Sequence, residues 1–316
     1  MINLDSLRTS RTIRFLISPR AACVYLFMTP AHASLPSLRN FLANHRRLVV
    51  ITGAGISISS GIPAYRDEEG TWQHSAPITH QEFISDIARR RRYWARSLLG
   101  WPAVRDARPN AAHRALAQLE QLGHVDLLIT QNVDRLHQRA GSSAVVDLHG
   151  RLDRVRCLAC CDLVSREVIQ QRLLRANASQ ETRTAGARPD GDADVEGEWV
   201  ARLAVPECAR CGGTLIPDVV FFGGTVPGER VQACADAIAD ADALLVVGSS
   251  LQVYSGFRFC RLARKLDKPI ALINPGLTRA DPLADLKLLS ECEPLLSALA
   301  AEAAVTASPY AGDSPS

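Results

Sequence analysis

Two residues separate Cys157 from Cys160, and two separate Cys208 from Cys211. A Cys-x-x-Cys pair sets two sulfurs on one tight knuckle, and two knuckles supply the corners of a tetrahedral thiolate site. Closing that site requires the intervening chain to fold back on itself, which restricts the fold more than any other feature. Gly212 and Gly213 beside the second pair suit a knuckle turn. The plain alternative, four buried free cysteines, does not account for the repeated spacing. Four thiolates leave no open coordination position, so the one zinc ion expected here is structural rather than catalytic. Cys161 is the nearest competing ligand, but its spacing from Cys157 fits the knuckle less well.

The chain has 316 residues, room for one large domain with a satellite. A formal net charge of +3 carries no polyanion signal, so no direct nucleic-acid partner is expected. Nine cysteines, an odd number with four in metal spacing, point to a reducing compartment rather than a disulfide framework. No apolar run approaches the ~18 residues of a membrane span. Residues 1–33 are Arg-rich and acid-poor around a short apolar stretch, Ala21 to Met28. A secretory signal and an organellar transit peptide compete with an upstream extension for which Met28 is the working start. The extension, with cytoplasmic placement, is the expectation, and the transit peptide is the runner-up.

Short apolar runs recur at Leu48–Thr52, Asp126–Thr130, Ala243–Gly248 and Ile270–Asn274. Each reads as a buried parallel strand, and helical patterns such as His113 to Leu122 and Arg230 to Ala241 separate them. Strands alternating with helices predict a doubly wound parallel, Rossmann-like α/β sheet with a second, smaller zinc-binding module. The expected division is an extension at 1–33 and a discontinuous nucleotide-binding domain at 34–150 and 215–300. A helical insertion falls at about 67–110, the zinc module at 151–214 and a disordered tail at 301–316. The acidic, Gly-containing stretch from Asn177 to Gly197 reads as an exposed loop. Gly53, Gln131, Ser249 and Asn274 each follow a strand, at the edge where open α/β sheets bind ligands.

Gly53-Ala54-Gly55 is a weak phosphate-binding signal alone, because Ser57-Ile58 interrupts the ordinary dinucleotide fingerprint. The longer string from Gly53 to Arg66 is specific. Together with Thr130-Gln-Asn-Val-Asp-Arg-Leu-His137, Leu148-His-Gly150 and the two Cys pairs, it resembles the sirtuin family of NAD-dependent protein-lysine deacylases. The resemblance runs from about residue 38 to 298 in the family's order. Arg92-Tyr-Trp-Ala-Arg96, Gly100-Trp101-Pro102 and Val253-Tyr-Ser-Gly256 are similar to its class II branch.

The resemblance implies NAD as co-substrate and acyl-lysine proteins as partners, with release of nicotinamide and O-acyl-ADP-ribose. It places Gly53, Ala54, Gly55, Ser57, Tyr65 and Arg66 around the NAD phosphates and the nicotinamide ribose. Gln131 would meet that ribose, and Asn132 and Asp134 would hold the carboxamide and the attacking water. Gly248, Ser249, Ser250, Asn274, Pro275 and Gly276 would meet the adenosine half, and the backbone near Cys292 would cap the adenine. His149 would be the general base, an imidazole near neutral pKa suiting the activation of a ribose hydroxyl. Asp134 alone also reads as a helix cap, and His137 as a structural residue. An intact His149 and Asn132 favour deacylation over the alternatives, a protein mono-ADP-ribosyltransferase and an idle NAD sensor.

Three departures from the family pattern stand out. Tyr65 and Ser249 replace a common Phe and Thr, and Gly224 replaces a common acid. The last lies in the segment of Val220, Phe221 and Gly223, expected to pair with the substrate peptide by strand addition. Tyr93 and Arg96, three apart on a predicted helix, resemble the pair with which acidic-acyl sirtuins grip a carboxylate. On that reading Arg96 lines the acyl channel and acetyl-lysine is a weaker substrate than longer chains. The alternative has Arg96 exposed and Tyr93 packed in the core.

Overall fold

The computed structural model describes residues 30–64, 77–178 and 197–307. Tyr65, Arg66, the middle of the acidic loop and most of both expected termini lie outside them. A helix covers Pro30–Asn44, so helical structure begins before the expected boundary at 33/34. Another runs over Cys292–Ala307, into the stretch expected as a disordered tail. Its apolar residues explain the extension: Leu299, Ala300 and Ala303 remain buried almost to its end.

The strands, in chain order, are β1 (Leu48–Thr52), β2 (Val125–Thr130), β3 (Val145–Asp147), β4 (Gly150–Cys157), β5 (Leu163–Ser165), β6 (Leu215–Val219), β7 (Ala243–Val247), β8 (Ile270–Ile273) and β9 (Leu286–Leu288). Six of them form one sheet in the order β3-β2-β1-β7-β8-β9, parallel throughout. From β1 the chain winds outward through β2 to β3, and from β7 through β8 to β9. The direction of winding therefore reverses between β1 and β7, the crevice at which such sheets take ligands.

All five residues of β1 are buried, as are all five of β7, because helices cover both faces. Alternate side chains feed two cores. Leu48, Val50, Leu128 and Leu245 pack with Leu296 and Leu299 of the C-terminal helix. Val49, Ile51, Ile129 and Val246 pack with Ile238 and Phe259 on the opposite face. Full burial of such a side chain contributes about 1.5–3 kcal/mol, so neighbouring strands hold one another's carboxyl ends in register.

The smaller sheet is antiparallel, in the order β5-β4-β6. Here β6, expected to rejoin the large domain at 215, pairs with β4 instead, which carries the module on to Val219. The module does not enclose a core of its own. Val155, Ile169, Leu173 and Ile216 pack with Phe83, Trp94 and Leu98 from the helices His80–Ser85 and Ile87–Asp106. Arg166 crosses the same boundary, donating to the backbone oxygen and hydroxyl of Ser97 at 3.0 and 3.1 Å.

Candidate functional site

The site is assembled where five parallel strands end: Gly53 follows β1, Gln131 follows β2, His149 lies just beyond β3, Gly248 follows β7 and Asn274 follows β8. At the reversal of winding, the Gly55 N–H donates to the Gly248 carbonyl at 2.9 Å. Gly248 adopts φ +58, and a Cβ there would meet the Ile56 nitrogen at 2.5 Å. Glycine is required by both the left-handed backbone and the close approach.

A cavity of about 980 Å³ opens over this edge. Gly53, Ala54, Gly55, Gln131 and Asn132 line it from one side, and Gly248, Ser249 and Ser250 face them. Asn274, Pro275, Gly276 and Cys292 close one end, and Val220, Phe221 and Gly223 form another wall. The volume, the glycine-lined switch point and the polar groups from several strand ends fit an extended dinucleotide such as NAD.

Ser57 and Asp134, expected to touch the cofactor, are instead behind this wall and nearly fully buried. The reason is a hydrogen-bond chain. Asn132 donates through Nδ2 to Ser57 Oγ at 3.1 Å and to the Gly53 carbonyl at 3.0 Å. Ser57 in turn donates to Asp134 Oδ2 at 2.8 Å. Asp134 also accepts from the Leu136 N–H at 2.9 Å, from the position before Arg135, the N-cap of the following short helix. Burial pushes its carboxyl pKa upward, against the pull of those two donors. The chain fixes Asn132 with both amide hydrogens engaged, leaving its side-chain oxygen as the acceptor for a ligand.

His149 is half-buried on the cavity wall. Its Nδ1 lies 3.0 Å from the Gln131 carbonyl, which only accepts, so Nδ1 carries the proton. Nε2 is therefore an acceptor, and the Ser255 hydroxyl donates to it at 2.7 Å. Desolvation lowers the imidazole pKa to about 4, opposed by the Gln131 carbonyl and reinforced by the positive charge of Arg230. The value corrects the expectation of a near-neutral pKa, but the consequence favours the same role. At neutral pH the ring is deprotonated and can accept a proton. Gly150 beside it has φ +85, and a Cβ would meet the Asp218 oxygen at 2.2 Å. This contact brings β4 against β6, and the Val220 N–H then bonds the His149 carbonyl at 2.7 Å.

His137 is structural, as expected. It is buried, lies 2.9 Å from Thr52 Oγ1 and packs against His113 with ring centroids 4.8 Å apart.

The acyl-reader pair separates. Tyr93 lines the cavity and packs against Phe83 and Phe221, each with ring centroids 5.3 Å away. Arg96 is neither exposed nor on the cavity wall: it is 4% exposed and absent from the lining.

In the zinc module the Sγ atoms of Cys157, Cys160, Cys208 and Cys211 all lie within 4.8 Å of one another. Cys157 and Cys211 approach to 3.6 Å, and Cys160 and Cys208 to 3.7 Å. A tetrahedral zinc with bonds of about 2.3 Å requires sulfurs ~3.8 Å apart, so the four thiols fit the ion. Cys161 is exposed, outside this cluster and in the left-handed region at φ 59.

Sequence reasoning missed Ser255, although it stands in the string Val253-Tyr-Ser-Gly256. It also missed β3, which delivers His149 to the sheet edge. That strand is three residues long and only half-buried, so it carries no apolar run.

Comparison with known proteins agrees with this geometry. The Sir2 family pattern matches residues 53–255. An NAD-dependent protein deacetylase from Bordetella bronchiseptica is 54% identical over 265 residues, covering 84% of this chain and 97% of its own. The bovine NAD-dependent protein lipoamidase sirtuin-4, mitochondrial, is 46% identical over 86% of this chain and 88% of its own. Among solved structures, one described as Sir2-p53 peptide-NAD+ superposes with a TM-score of 0.67 at 27% identity, covering 86% of this chain and 99% of its own. A mutant Sir2 homologue in complex with ADP ribose gives 0.68 at 30% identity, covering 86% and 98%. With the matched pattern spanning well over half of the chain, the chain belongs to the Sir2 family.

Proposed function

We propose that this chain is an NAD-dependent protein deacetylase in which His149 is the general base and Asn132 holds the nicotinamide carboxamide. The observation that carries the assignment of the base is the orientation of His149. Its Nδ1–H is fixed by the Gln131 carbonyl, while its unprotonated Nε2 belongs to the cavity wall. When bound, NAD supplies a ribose carbon that the acyl oxygen of the lysine amide attacks as nicotinamide departs.

The chain's own groups do the rest. Asn132 presents its side-chain oxygen to the carboxamide, immobilised through Ser57 and Asp134. Gln131 is anchored through Nε2 to Ser249 Oγ at 2.8 Å, which fixes the carbonyl that holds His149. His149 accepts the proton of a ribose hydroxyl. A transferase that only moved ADP-ribose to protein would have no need of this base.

The substrate peptide lies along Val220, Phe221 and Gly223. Phe222 is already engaged on one side, accepting from the His80 N–H at 2.9 Å. The acyl chain enters between Tyr93, Phe221, Ile78 and Leu152, an aromatic and aliphatic wall among the described residues. Such a wall favours apolar chains over carboxylated ones, so lipoyl-type and medium-length fatty acyl groups should be accepted beside acetyl. The relatives are named for acetyl and for lipoyl removal.

A panel of acetyl-, octanoyl-, lipoyl- and glutaryl-lysine peptides assayed with NAD tests the reading. Nicotinamide release coupled to acyl loss is expected for the first three. Turnover confined to the glutaryl peptide would overturn the account of the acyl wall, and acyl loss without NAD would overturn the function.

A further inference from the structure

Ser255 lies in the first turn of the helix Tyr254–Lys265, whose N-cap Val253 provides no side-chain cap. A serine so close to a helix start ordinarily serves the helix's own unsatisfied N–H groups. This one bonds His149 Nε2 at 2.7 Å instead. The approach depends on its neighbour. Gly256 is buried, and a Cβ there would meet Gln131 Oε1 at 2.6 Å. Without that Cβ, the helix start closes onto the residue whose carbonyl holds the other ring nitrogen. The imidazole is thus gripped at both ends, by a backbone carbonyl and by a hydroxyl. Ser255 and His149 both line the cavity.

The arrangement leaves the base nitrogen already occupied. Because both residues line the cavity, a ribose hydroxyl brought to Nε2 would find the Ser255 hydroxyl already bonded there. A hydroxyl has one donor and two acceptor sites, so Ser255 can accept one hydrogen bond while donating another.

Building on the deacetylase reading, we propose that Ser255 is the proton relay of this site, passing a ribose hydroxyl proton to His149. The ribose O–H bond breaks as its proton binds Ser255 Oγ. In the same motion the original Ser255 proton moves to His149 Nε2. The ribose oxygen keeps the electron pair and becomes the nucleophile. Ser255 ends as a neutral hydroxyl, and His149 ends as an imidazolium with Nδ1–H still on the Gln131 carbonyl. Ser255 then turns to accept from the new Nε2–H, so the ring is held in both protonation states.

The experiment compares Ser255→Thr with Ser255→Val, side chains of one shape with and without a hydroxyl. In ligand-free protein, ¹⁵N NMR should show His149 Nε2 as a hydrogen-bonded acceptor in wild type and Ser255→Thr but not in Ser255→Val. Deacylation by Ser255→Val should fall about tenfold or more below Ser255→Thr. Nicotinamide exchange into NAD, which precedes the base-dependent step, should stay within about threefold of wild type, because the relay is not used there. A proton inventory should curve for wild type, with two protons in flight, and straighten for Ser255→Val.

Equal deacylation by the Thr and Val variants, or exchange lost together with deacylation in Ser255→Val, would overturn the relay. The deacetylase reading fails separately, on wild-type protein that neither exchanges nicotinamide nor removes acyl groups.

Discussion

At the carboxyl edge of the six-stranded sheet, each functional group stands at the end of a strand buried on both faces. In the zinc module four thiols converge from two turns, and the apolar residues behind them share a core with the helices of residues 80–106. The edge is fixed by burial and by backbone contacts that only glycine allows, as at Gly248 and Gly150. The module is fixed by its metal. The difference teaches where each region is vulnerable: the edge to changes of one atom beside a backbone, the module to loss of one ligand.

Metal loss should break the comparison most severely. Structural zinc sites contribute on the order of 10 kcal/mol to folding of their module. Cys160→Ser should purify without stoichiometric zinc and melt early. Because Tyr93 and Phe221 belong to the core shared with the module, the acyl wall should loosen with it. Cys161→Ser, outside the cluster, should keep one zinc per chain. Metal analysis showing the opposite would exchange the two assignments.

Next in size is the base. His149→Ala should lower deacylation by about 10²–10⁴-fold, with zinc content unchanged. With the imidazole pKa near 4, the acid limb of kcat/KM in wild type should lie nearer pH 4 than 6.5.

Gly150→Ala tests the edge directly. The left-handed φ and the 2.2 Å approach to the Asp218 oxygen cannot both be kept with a Cβ. A loss of about 3 kcal/mol is expected from strain of this kind, read as a lower urea midpoint. A neutral result would show that β4 and β6 can part without cost.

Acid should then weaken the sheet. The His113 pKa falls from 6.5 to about 4 because the ring is buried, and His149 shares that direction. For such groups the unfolded chain binds protons first. Their contribution to stability is complete above the unfolded pKa of about 6.5 and is lost as pH falls towards 4. The carboxyl of Asp134, raised by burial, works in the opposite sense: its contribution is present at low pH and lost as pH rises through its folded pKa. Four histidines (His113, His124, His137 and His149) are lowered by burial against two carboxyls (Asp134 and Asp147) raised by it, so the urea midpoint should drop between pH 7 and pH 5. His113→Gln should flatten that slope.

The smallest effect sharpens the account of the acyl wall. Arg96 is buried off the cavity, so Arg96→Met should leave the ratio of acetyl to glutaryl turnover within about twofold of wild type, as a substitution outside the site does. Tyr93→Ala, which removes a lining ring, should shift acyl-chain preference. A selective loss of glutaryl turnover in Arg96→Met would restore the carboxylate grip.

What the sequence determined follows from interactions that are local or covalently spaced. Two Cys-x-x-Cys pairs state a tetrahedral site because the knuckle is built from adjacent residues. β1, β2, β7 and β8 were legible because strands buried on both faces are written as unbroken apolar runs. Gly53, Gln131, Ser249 and Asn274 were legible because each follows an apolar run, and His149 because it stands in the string Leu148-His-Gly150. Tertiary structure decided the rest, through contacts between residues far apart in the chain. β3 and β9 are too short to carry a pattern, and they exist because β2 and β8 offer them paired edges. Ser57 and Asp134 withdrew behind the wall because a hydrogen-bond chain to Asn132 satisfies them there. Arg96 is buried off the cavity lining, which its helical spacing from Tyr93 does not foretell. Ser255 reached His149, 106 positions earlier in the chain, because Gly256 lets a helix start close against Gln131. No run of neighbouring residues encodes that approach.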